Sequence, residues 1–126
     1  MCALRFSQSR STVARGRTAE NWVVGWCRRR GWVVVARNWR CRGGELDIVC
    51  WDQTQLVVVE VKCRTSFRYG SATSQLTAQQ RQRIERTLEQ FCYRNGLGER
   101  PWRLDLLALQ QRAGQWYSTY YAGITN

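Results

Sequence analysis

Two apolar runs almost touch in this chain: ELDIVCWD (45–52) and QLVVVEVKCR (55–64) are separated only by Gln53-Thr54. Runs this rich in valine, isoleucine and leucine, joined by a short polar break, read as an antiparallel hairpin. With the turn centred on Gln53-Thr54, Asp47 falls opposite Glu60 and Glu45 opposite Lys62. Alternation groups Leu46, Ile48 and Cys50 with Val57, Val59 and Val61 on the opposite, apolar face.

Carboxylates facing each other across two strands, with β-carbons roughly 5 Å apart, destabilise a sheet unless something compensates. One carboxyl can stay protonated, both can reach solvent, or a hard divalent cation can take their oxygens together with water and a backbone carbonyl. The plain alternative is a solvated strand face laced with ion pairs. Lys62 bears on the choice, because it is the only lysine among 20 basic residues. An arginine cannot give up its proton, whereas a compact ammonium near a cation can, and it can also orient water or offset charge on a phosphorane.

The rest of the chain frames this hairpin. Ala19, Trp22, Val23, Trp26 and Cys27 recur at helical spacing, predicting a helix from about Thr18 to Arg30, stopped by Gly31. WVVVARNW (32–39) reads as a strand, and the Gly43-Gly44 turn leads into the hairpin. TSFRYGSATSQL is a loop. Thr77 is a good N-cap for a helix reaching Asn95, with Ile84, Leu88, Phe91 and Cys92 on its buried stripe. After the single proline, Pro101, WRLDLLAL and QWYSTYYAG read as two more strands. The expected architecture is one α/β domain over 1–126, order α-β-β-β-α-β-β, with a mixed central sheet flanked by helices. Residues 1–14 are expected to be a flexible basic N-terminus.

Charge narrows the partners. Twenty bases against 9 acids give a formal net charge of +11 and a pI near 10.3, which asks for a polyanion, with nucleic acid first and an anionic membrane surface second. Histidine is absent, which excludes Ser-His-Asp and Cys-His catalysis, His-Glu zinc proteases and zinc deaminases. The 6 cysteines form no CxxC pair, so a zinc knuckle is not expected. Magnesium or manganese suits an all-carboxylate site better than zinc. No secretory signal and no apolar run of membrane-spanning length are visible, so the expected setting is the reducing cytoplasm without a membrane partner. Arg37, Arg40 and Arg42, interleaved with Trp39 before the hairpin, and Arg64 and Arg68 after it, are candidate phosphate contacts. Trp39 is either a base-stacking platform or core.

GELDIV followed by EVKCR resembles the YraN family of small bacterial proteins, and the resemblance runs from GRTAENW to RLDLLAL. It implies a restriction-endonuclease-like fold related to archaeal Holliday junction resolvases, with an acid on the second strand and an acid-x-lysine on the third. By that resemblance Asp47 and Glu60 would bind metal, Lys62 would assist the nucleophilic water, and Glu20 on the first helix would complete the site. Two departures stand out. Leu46 occupies the place of the proline in the superfamily motif, and Gln80-Arg81 replaces the Lys-Gln that relatives tend to carry after the capping threonine. The expectation is a divalent-metal-dependent endonuclease acting on DNA. A noncatalytic nucleic-acid-binding module on the same fold is the alternative. A homodimer would supply the two sites that cutting both strands of a junction needs.

Overall fold

A computed structural model of the chain describes residues 2–6, 12–64 and 76–124. In chain order the elements are β1 (Cys2–Phe6), α1 (Thr12–Arg29), β2 (Val33–Cys41), β3 (Gly44–Trp51), β4 (Leu56–Arg64), α2 (Ala78–Arg94), β5 (Trp102–Arg112) and β6 (Gln115–Tyr121). From α1 onward this is the expected order. The strands form one mixed sheet, β1-β6-β5-β4-β3-β2, in which β4 and β5 are parallel and every other neighbouring pair is antiparallel. A parallel pair needs a long crossover, and α2 lies within it.

Both faces of the sheet are covered, which explains why its central strands are apolar on both sides. On one face Val23, Val24 and Cys27 of α1 pack against Ile48, Cys50, Val57, Val59, Leu107 and Leu109. On the other, Ile84, Leu88, Phe91 and Cys92 of α2 pack against Leu46, Val49, Val58, Leu104 and Leu106. The α2 boundaries follow local chemistry. Thr77 accepts from the Gln80 amide at 3.1 Å while the Gln80 side chain accepts from the Thr77 amide at 2.8 Å, closing a capping box. At the end of α1, Gly31 takes φ +81° and the Trp32 amide reaches back to the Cys27 carbonyl, so the chain leaves the helix directly into β2.

Three expectations change. The N-terminus expected to be flexible contributes β1, whose Leu4 lies in register with Ser118 of β6. An edge strand such as β6 offers a row of unpaired backbone groups, and pairing of that kind leaves little trace in composition. Helix α1 starts at Thr12 rather than Thr18, because residues 12–17 continue the helix without an apolar stripe to announce it. Strict alternation also fails in β3: Leu46 joins the α2-side core with Val49, whereas Ile48 and Cys50 face α1. The break falls at Asp47, beside Asn38 of β2, which takes φ +51°. Among the described residues no helix is long and apolar enough to cross a membrane.

Candidate functional site

The hairpin register is the one expected from its turn. Trp51 pairs with Leu56, Cys50 with Val57, Val49 with Val58 and Ile48 with Val59. The ladder ends one pair short of Asp47 and Glu60. There the strands part, and Asp47 Oδ2 accepts from the Val61 amide at 2.8 Å, taking the place of the next cross-strand backbone bond. The Asp47 carboxylate is thereby anchored to the peptide between Glu60 and Lys62, the two residues with which it was expected to act.

Glu60 is almost fully buried, at 9% exposure, and its Oε1 has no hydrogen-bond partner among the described residues. A buried acceptor left unmatched is costly and rare, more so on an ionised group. Burial pushes the Glu60 carboxyl up to about 8, the Asp47 charge adds to the rise, and Lys62 opposes it. Burial likewise raises Asp47 to about 6; the Val61 amide works against that, and Glu45 and Glu20 add like charge. At neutral pH the pair therefore holds about one proton between them.

Glu60 and Lys62 line a cavity of about 630 Å³ between the β2–β3 turn and the first turns of α2. Glu45, Arg42 and Arg83 share its wall, and Asp47 does not line it. Lys62 makes no ion pair with any described acid. The expected Glu45–Lys62 pairing is replaced: Glu45 meets Arg40, its register partner on β2, at 3.4 Å.

Glu20 is engaged elsewhere. Its Oε2 accepts from Asn38 Nδ2 at 2.9 Å and lies 4.0 Å from Arg37. Among the described residues no three acidic or thiol side chains stand close enough to hold a metal ion together, and Glu20 is not grouped with Asp47 and Glu60 in that way. Its charge reaches Asp47 only at a distance.

The candidate phosphate contacts divide. Arg37 and Arg40 are paired with Glu20 and Glu45, Arg42 is exposed at the turn, Arg64 closes β4, and Arg68 lies outside the described residues. Trp39 is core rather than a stacking platform. It meets Phe91 edge-on at 5.4 Å and carries Arg94 over its ring. Asp105, buried in β5, accepts from Arg103 at 3.1 Å, Tyr120 at 2.6 Å and the Gly123 amide at 2.8 Å, a closed structural network. Gln80, noted as a departure from the family pattern, is brought to the cavity wall by its cap, whereas sequence reasoning overlooked Arg83, Arg86 and Arg94 of α2. Their signal was present as bases three and eleven positions apart on one helix.

Comparison with known proteins agrees with the motif. The model of the family described as "Uncharacterised protein family UPF0102" matches residues 19–109, which span both helical layers and the hairpin. A UPF0102 protein of Herpetosiphon aurantiacus is 34% identical over 106 residues, covering 81% of this chain and 86% of that one. Another, of Hahella chejuensis, is 33% identical over 114 residues, covering 88% and 92%. A third, of Dechloromonas aromatica, reaches 46% over 74 residues, covering 59% and 62%. With the family pattern covering β2 to β4, α2, most of α1 and β5, and the acid-x-lysine strand, the chain belongs to the UPF0102 family, as its hairpin residues suggested.

Proposed function

We propose that this protein is a divalent-metal-dependent nuclease acting on DNA, with Asp47 and Glu60 as ligands and Lys62 as the group that handles the attacking water. The observation that carries the reading is Glu60 Oε1, buried without a partner among the described residues, within the field of the Asp47 carboxylate and beside an ammonium that pairs with no described acid. The donor set fits magnesium or manganese, hard ions that are commonly held by one or two carboxylates plus water and substrate phosphate. When bound, such an ion supplies Lewis acidity, bringing water toward neutral pKa and polarising a phosphoryl oxygen.

The chain's own residues do the rest. Asp47 is held rigid by the Val61 amide, so its remaining oxygen is presented without rotamer loss. Glu60 keeps a proton near neutral pH and must release it to act as a ligand, so cation uptake liberates roughly one proton. Lys62 positions water and offsets the charge that develops on phosphorus. Arg42 and Arg83 in the same wall hold backbone phosphate. We place the protein in the reducing cytoplasm, in keeping with the free thiols of Cys27, Cys41, Cys50 and Cys92. A homodimer would present two such sites to a branched substrate.

The engagement of Glu20 by Asn38 and Arg37 favours the rival reading, a noncatalytic DNA-binding module. Forked, four-way and single-stranded DNA incubated with magnesium, manganese or chelator separates the two. Cleavage that needs metal, and that falls by at least roughly 100-fold in Lys62→Ala and Asp47→Asn while DNA binding persists, supports the nuclease. Salt-dependent binding that ignores metal and is never followed by cleavage rejects it.

A further inference from the structure

Helix α2 is segregated by charge. Arg83 and Arg94, eleven positions apart, lie on one line of the helix with Gln90, and Arg86 flanks them. Glu85 falls to the other side, lining a separate cavity with Leu88, Cys92 and Trp102, and Glu89 stands between the two sides. The basic line faces the β2–β3 turn. Arg83 and Arg42 stand in the wall of the Glu60–Lys62 cavity. Arg42 also lines a second cavity of about 400 Å³ with Arg86, Arg94 and Gln90, in which Glu89 is the one acid. The two cavities share Cys41, Arg42 and Gly43, and so form one trough around the tip of the turn. Close contact holds the turn against the helix, since a β-carbon on Gly44 would stand 2.4 Å from Thr87 Oγ1.

These arginines are exposed, and only Arg94 has a ring contact, with Trp39. Arg42, Arg83, Arg86 and Arg94 make no ion pair with any described acid, in contrast to Arg37, Arg40 and Arg103. From Arg83 to Arg94 the helix advances ~16 Å, roughly five steps of one duplex strand at about 3.4 Å each. None of the exposed large apolar residues, Val33, Val35 and Tyr93, lines the trough, so its chemistry matches a phosphate backbone rather than a membrane surface.

We infer that the strand carrying the scissile phosphate leaves the Glu60–Lys62 cavity along this trough, over the β2–β3 turn and down α2, with Arg42, Arg83, Arg86 and Arg94 as its phosphate contacts. The inference rests on the nuclease reading for its direction, and on charge and shape for the ligand class. Arg37 and Arg40, engaged by their own acids, are then peripheral.

The test is binding of a labelled duplex DNA, followed by anisotropy across a salt series. Arg86→Ala/Arg94→Ala is compared with Arg28→Ala/Arg29→Ala, which removes equal charge from the end of α1 on the opposite face. Losing two contacts lowers the slope of log K against log salt by about 1.8, and at 0.1 M salt lowers affinity on the order of 50-fold. The α1 variant is expected to stay within about twofold of wild type. Equal losses in both variants, or wild-type binding by the α2 variant, overturn the trough and leave the nuclease reading standing. Failure of the wild-type protein to bind DNA overturns both. Because Arg94 packs on Trp39, Arg42→Ala/Arg86→Ala carries the same expectation if the first variant melts early; neither of its residues has an ion pair or ring contact with a described residue.

Discussion

Replacing Glu60 by glutamine tests the electrostatic core of the proposal without any substrate. The substitution keeps shape and removes the charge that burial resists. A glutamate in the unfolded chain titrates near 4.5, and in the fold Glu60 titrates at about 8. Between those values the folded protein holds a proton that the unfolded chain has released. Raising the pH across that window therefore favours unfolding, and the contribution is fully present below 4.5 and gone above about 8. At about 1.4 kcal/mol per pH unit the ceiling is ~5 kcal/mol, a large part of the 5–15 kcal/mol that holds a typical domain together. Urea unfolding in chelator at several pH values between 5 and 8.5 reads it directly. Wild-type stability is expected to fall by several kcal/mol more than that of Glu60→Gln over this range, leaving the variant the more stable protein at the alkaline end. Manganese should narrow that gap, by about 2.7 kcal/mol at a hundred times its Kd, through a gain in wild type alone. Parallel pH profiles for the two proteins would refute the buried, uncompensated carboxylate pair.

Two other perturbations probe the scaffold around the site. Gly44→Ala is expected to cost roughly 1–3 kcal/mol, since its β-carbon would press on Thr87 Oγ1. Thermal unfolding of the Gly44→Ala/Thr87→Ala double variant should show coupling, and strict additivity would count against that contact. Asp105→Ala should lose about 3–5 kcal/mol in urea unfolding, because it strands the Tyr120 hydroxyl and the Gly123 amide and leaves Arg103 only its contact with Asp52, and a loss under ~1 kcal/mol would mean the network is open to water.

Much of this was legible without coordinates. A two-residue break between apolar runs leaves one sensible register, so the pairing of Ile48 with Val59 and its neighbours could be read off the chain. The Thr77 cap, the Gly31 stop and the crossover helix follow from local rules of the same kind. The acid-x-lysine strand pointed to carboxylate chemistry because like charges at close quarters require an explanation at any fold position.

Tertiary structure decided what those charges meet. The ladder opens at Asp47, a backbone amide captures its carboxylate, and Glu60 is left buried beside that charge with one oxygen, Oε1, unpartnered among the described residues. Glu45 and Glu20 were drawn off by Arg40 and by Asn38 with Arg37, partners set by the β2 register and the α1 approach, which no spacing along the chain encodes. Strand β1 needed a distant edge to pair with, and the trough needed two segments about forty residues apart to lie side by side. Local sequence specifies short-range geometry, because torsions and alternation are local. Burial, and with it the free energy of a charge, depends on which surfaces the whole fold brings together.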